Sequence, residues 1–214
     1  MHAELIDALR CPHPHADSWL VAMATRTVGR DLIEGTLGCP VCRAEYPITG
    51  GVVQFAAPLP VIPPPAPGAA EEEAMRVAAL LDLTDARGVA LLLGAWGARA
   101  PTVQRIAPSR LLLLDPPAGV PLGGGVFAID AGTAVPLAAG SMHAAAIDAA
   151  HGSAHQVEAV VQAVKPGGRI VAPVAVAVPS GVMEIVRDDT VWVAAREAPT
   201  SPVVALGRRS VPPG

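Results

Sequence analysis

The sequence predicts an α/β fold: a mostly parallel sheet covered by helices on both faces, preceded by a small α+β module. Three observations carry this expectation. From about residue 70 onward, apolar strand candidates alternate with helical patterns, the signature of a layered α/β unit. Those strands are unbroken runs of Val, Leu, Ile and Ala rather than in–out alternations, as strands buried on both faces require. Upstream, Cys39-Pro-Val-Cys42 with Cys11 before it has the spacing of a metal knuckle.

The elements follow in order. Leu5, Ile6 and Leu9 make a short helical pattern before Cys11. Residues 18–23 and 32–37 read as strands, and Tyr46-Pro-Ile48 and Val52 to Phe55 flank Gly50-Gly51 as two more. A module of about 56 residues rarely stands on its hydrophobic core alone, so a metal staple makes physical sense. Residues 57–69 form a spacer containing six prolines, which excludes it from a helix or sheet interior. Beyond it, the pattern predicts a helix over 71–83, strands at 89–93, 111–114, 126–129 and 144–147, and helices near 102–106 and 157–164. Strands over 169–178 and 182–194 end the second unit at about residue 198. The tail, 199–214, has an apolar stretch at Pro202 to Leu206 that pairs as an edge strand or lies on a partner.

Composition narrows the function classes. Half of the 214 residues are hydrophobic (51%), but only 3% are Phe, Trp or Tyr, so small aliphatics fill the core. The formal net charge is −4 and no basic run exceeds Arg208-Arg209, which disfavours nucleic acid as a direct ligand. No stretch of about 18 apolar residues predicts a membrane span. The acidic start and three cysteines point to a reducing cytoplasm.

Cys39 and Cys42 supply two ligands on one turn and Cys11 a third; His15 is the preferred fourth, with His13 as the alternative. The bland reading makes the cysteines small buried hydrophobes around no metal. Leu9-Arg-Cys11-Pro12, Gly35-Thr-Leu-Gly-Cys39-Pro-Val-Cys42 and Tyr46-Pro-Ile-Thr-Gly-Gly51-Val-Val53 together resemble a family of small zinc-binding proteins. Its members act as activating subunits of S-adenosylmethionine-dependent methyltransferases. The resemblance covers residues 5–55, implies a zinc-ribbon-like module and departs at Pro14, where that family has its second cysteine.

Residues 70–198 resemble a class I S-adenosylmethionine-dependent methyltransferase, which implies a Rossmann-like sheet. Leu92-Leu-Gly94-Ala-Trp96-Gly97-Ala98 stands at the glycine-rich turn of that family, where absent Cβ atoms let the backbone approach the cofactor. The family's acid is Leu92 here, and its second and third glycines are Trp96 and Ala98. By the same resemblance, Asp115 would hold the ribose and Asp130 the adenine, with Gly94 and Gly97 at the turn. Each acid also has a plain reading, as the end of a strand or the cap of a turn. Lys165-Pro-Gly-Gly168 resembles the family's turn into its fifth strand, a mark of fold rather than catalysis. His151 and His155, four apart, read as a cap and a solvated face more readily than as a chelating pair. No catalytic residue is assigned. The sequence therefore favours a non-catalytic scaffold or regulatory subunit that binds a protein partner. The alternative is an active methyltransferase acting on RNA, protein or a small molecule, which requires a basic face from Arg43, Arg99, Arg105 and Arg110.

Overall fold

The structure, a computed structural model, describes residues 1–57, 69–84 and 88–198. Residues 58–68 of the proline-rich spacer and the tail from 199 lie outside the described residues. After helix α1 (Ala3–Ile6), strands β1 (Val21–Val28), β2 (Asp31–Gly38), β3 (Glu45–Thr49) and β4 (Val52–Gln54) form an antiparallel meander. Helix α2 (Ala69–Leu80) then leads into β5 (Val89–Leu93), a 3-10 turn (Gly94–Arg99) and α3 (Ala100–Ile106). Strands β6 (Arg110–Leu114), β7 (Val126–Asp130) and β8 (Ala144–Ala146) follow. Helix α4 (Ala154–Ala163), β9 (Arg169–Pro173), β10 (Val182–Arg187) and β11 (Val191–Arg196) complete the order.

The eleven strands among the described residues belong to one sheet, in the order β1-β2-β3-β4-β7-β6-β5-β8-β9-β11-β10. Strands β7, β6, β5, β8 and β9 are mutually parallel, whereas β11 returns antiparallel to β9. This is the doubly wound, Rossmann-like order: the chain starts at β5, winds out to β7, then crosses back to β8 and β9. The topological switch lies between β5 and β8, where such folds place their ligands. Strand β4 joins the other end by pairing parallel to β7, Val53 opposite Ile129 and Gln54 opposite Asp130.

The side chains of β5 and β6 alternate between two cores, as a pleated strand demands. Leu91, Leu93, Leu112 and Leu114 face α4 through Val157 and Val160, together with Leu37, Tyr46 and Ile48 of the meander. Ala90, Leu92, Leu111 and Leu113 face α2 and α3 through Val77, Leu81 and Val103. Burial on both sides explains why these strands lack polar alternation. Helix α4 begins at Ser153, whose hydroxyl accepts from the Gln156 N–H, a standard N-cap. Helix α2 starts two residues earlier than periodicity predicts, and the 169–178 strand stops at Pro173. Among the described residues no helix is long and apolar enough to cross a membrane.

Candidate functional site

Strand β6 is followed directly by Asp115, a non-glycine residue in the left-handed region (φ +50°). That backbone turns its carboxylate inward. Asp115 Oδ1 accepts from the N–H groups of Ala131 (2.7 Å) and Gly132 (3.1 Å), and Oδ2 lies 3.4 Å from His151 Nε2. The other ring nitrogen of His151, Nδ1, lies 2.6 Å from Asp148 Oδ1. Asp148 sits just past β8 and its second oxygen accepts from the Ala95 N–H at 2.9 Å. A continuous bridge, Asp115–His151–Asp148, therefore crosses the carboxyl edge of the sheet at its topological switch.

The bridge is buried: the His151 side chain is 2% exposed and that of Asp115 is 0%. Burial alone disfavours the imidazolium, but two carboxylates outweigh it and raise the His151 pKa to about 9. Burial likewise opposes ionisation of Asp148, yet the hydrogen bonds from His151 and the Ala95 N–H bring its pKa below the ordinary value. The protonated ring is thus a cation held between two carboxyl groups.

Gly94, in the left-handed region (φ +53°), shows what the bridge occupies. A Cβ added there would lie 2.1 Å from Asp148 Oδ2 and 2.8 Å from His151 Cε1. The close approach that glycine permits is thus used by the chain's own side chains. At Gly97 an added Cβ would meet Pro116 at 2.9 Å. Trp96 is half-buried, and its indole N–H donates to the Ile147 carbonyl at 3.1 Å. Asp130 is set apart: it ends β7, its carbonyl accepts from Phe55 and Ala56, and burial followed by the Asp115 charge raises its carboxyl pKa.

Of the sequence-predicted positions, Gly94 and Asp115 meet at the bridge and Gly97 packs beside it. Asp148 and His151 were not singled out for this site. His151 is neither a cap nor part of a solvated face, and it is separate from the exposed His155. Asp148 could have been found by the rule that picks out Asp115, an acid at the carboxyl end of a buried strand. Three of the four arginines considered for a basic face are paired with acids: Arg99 with Glu73, Arg105 with Glu71 and Arg110 with Glu4.

A second cluster lies in the meander. The ligand atoms of Cys11, His15, Cys39 and Cys42 all fall within 4.8 Å of one another. Cys11 Sγ is 3.6 Å from Cys42 Sγ, and Cys39 Sγ is 3.4 Å from His15 Nε2. Tetrahedral zinc, with Zn–S of about 2.3 Å and Zn–N of about 2.0 Å, separates neighbouring ligand atoms by roughly 3.5–3.8 Å. The donor set therefore fits and can hold a metal ion. His13 Nδ1 reaches Cys42 at 3.4 Å, and the Tyr46 hydroxyl lies 3.1 Å from Cys11 Sγ as an outer partner. Burial opposes the Cys39 thiolate, but N–H groups of Cys42 and Val41 and the neighbouring thiols lower its pKa to about 6, toward the form that metals bind.

No protein-family profile matches the chain, and no curated protein sequence does. Solved structures with a similar outline include the [4+2]-cyclase SpnF (16% identity, TM-score 0.42, 49% of this chain and 44% of that one) and several methyltransferases. One is the geranyl diphosphate C-methyltransferase from Streptomyces coelicolor A3(2), with S-adenosyl-L-homocysteine bound (15% identity, TM-score 0.41, 47% of this chain and 44% of that one). Another is the N-methyltransferase NodS from Bradyrhizobium japonicum WM9 (13%, 0.41, 62% and 99%). A third is the tRNA (m1A58) methyltransferase TrmI from Aquifex aeolicus (14%, 0.42, 68% and 73%). This chain spans less than half the length of the first. At such identities and scores the likeness says nothing of chemistry, and the strand order and register above define the fold. The chain is an α/β protein with a Rossmann-like sheet and a Cys/His cluster near its N-terminus.

Proposed function

We propose that this protein is a non-catalytic scaffold or regulatory subunit: a methyltransferase-like sheet whose cofactor-gripping groups are engaged by its own side chains, stapled by zinc at Cys11, His15, Cys39 and Cys42. The observation that carries the reading is the Asp115–His151–Asp148 bridge. The groups expected to grip S-adenosylmethionine are the Asp115 carboxylate and the backbone of the 94–97 turn. Asp115 is engaged by two N–H groups and an imidazole, and the Ala95 N–H is taken by Asp148. A ligand would have to break a buried ion triplet, which costs several kcal/mol, to recover contacts the protein already makes.

The meander supports a binding role rather than catalysis. Its residues 5–55 resemble a family of methyltransferase activators, and here its last strand pairs directly with β7. Zinc bound there would fix the knuckle and so brace the strand that extends the sheet. No methyl-transfer step is assigned to any residue. A thermal-shift series tests the reading: ~1 mM S-adenosylhomocysteine should leave the melting temperature unchanged. A ligand bound at ~1 μM would add about 4 kcal/mol at that concentration, a shift of several degrees that would refute it.

A further inference from the structure

A cavity of about 420 Å³ opens at the carboxyl edge of the sheet, between α2, the 3-10 turn and the β10–β11 turn. That volume suits a small molecule. Its apolar lining comes from Val77, Leu80, Trp96, Pro173 and Val191. Four charged side chains also line it, and each is neutralised within the protein. Glu73 pairs with Arg99, Arg76 with Asp188 and the Thr190 hydroxyl, and Asp148 with His151. The second Asp148 oxygen is held by the Ala95 N–H and the indole N–H by Ile147. Among the described residues lining it, an ionic ligand would find each charge already paired and would have to displace an existing pair, whereas an apolar one would displace only water.

We infer that this cavity is a binding site for a neutral, flat, largely apolar small molecule lying against Trp96. This goes beyond the scaffold reading and needs neither cofactor nor reaction. The two side-chain pairs on α2, Glu73 to the 3-10 turn and Arg76 to the β10–β11 turn, would serve as clasps across the mouth.

The test is calorimetric titration of the full chain with 2-naphthol and, separately, with its anionic relative 2-naphthoate, following tryptophan fluorescence in parallel. The expected result is saturable binding of 2-naphthol with Kd in the tens of micromolar, about what a ligand of this size can reach. Binding of 2-naphthoate should be at least tenfold weaker. Leu80→Trp, which fills the cavity from its half-buried wall, should weaken 2-naphthol at least tenfold while the melting temperature holds. Absence of saturable 2-naphthol binding, equal or tighter binding of the anion, or unaltered binding by folded Leu80→Trp would each overturn the inference. The comparison of the two naphthalenes uses the unaltered protein, so it decides even if the variant fails to fold. S-adenosylhomocysteine is absent throughout, so the outcome is separate from that of the cofactor test.

Discussion

His151 offers the sharpest physical test of the carboxyl-edge bridge. Its folded pKa, about 9 against an ordinary 6.5, means that folding favours the protonated ring. The sign follows from linkage: a raised pKa contributes stability that is complete below about pH 6.5 and is lost as pH climbs through about 9. The difference corresponds to about 3 kcal/mol. Urea unfolding at intervals between pH 6 and 10 reads it out. With a slope of about 2 kcal/mol per molar, the midpoint should fall by about 1.5 M across that window. Cysteine titration overlaps the range, so His151→Gln supplies the control. It lacks the titrating ring, so its pH dependence over pH 6–9 should be flatter than that of the unaltered protein by about the same amount. It should also be about 3–5 kcal/mol less stable at pH 6, because two buried carboxylates then face each other without a cation. The ring Cε1–H resonance reports the pKa directly. A His151 that titrates near 6.5, or equal pH dependence in protein and variant, would refute the reasoning.

Three further outcomes follow from the same geometry. The protein should carry one zinc per chain by elemental analysis. His15→Ala should weaken it more than His13→Ala, because His15 reaches the buried Cys39 whereas His13 reaches only the exposed Cys42; the opposite order would exchange their roles. Gly94→Ala should cost about 2–4 kcal/mol in denaturant unfolding, since its Cβ would collide with Asp148 and the residue would keep a left-handed backbone; a neutral result would mean the carboxylate does not sit there. Trp192→Ala should cost about 3–5 kcal/mol, as a fully buried indole is lost together with its hydrogen bond to the Val176 carbonyl. A cost below 1 kcal/mol would place Trp192 outside the core.

Much of the fold was legible because its strands carry an unmistakable pattern. Val89-Ala-Leu-Leu-Leu93, set among alternating helical patterns, reads as a strand buried on both faces, and its bounds coincide with β5. The cysteine cluster was readable for a similar reason, since Cys-x-x-Cys fixes two ligands on one turn and leaves few candidates for the rest. The bridge was harder to see. Asp115, Asp148 and His151 meet only because β5, β6 and β8 are neighbours in the sheet, and sequence spacing does not encode that adjacency. His151 was hidden further by His155, four residues on, which invites a helical reading. In the structure Ser153 starts the helix between them and sends the two rings to different environments. The β4–β7 pairing was equally invisible, because two short apolar strands carry no signal of which edge they will join.

The central claim is that the groups that would hold the cofactor are engaged by the chain itself. Calorimetric titration of metal-analysed protein with S-adenosylmethionine and S-adenosylhomocysteine tests it most directly. The expected result is no saturable heat at millimolar ligand. Micromolar binding that disappears in Asp115→Ala would contradict it, by showing that the Asp115 carboxylate leaves His151 to hold the cofactor.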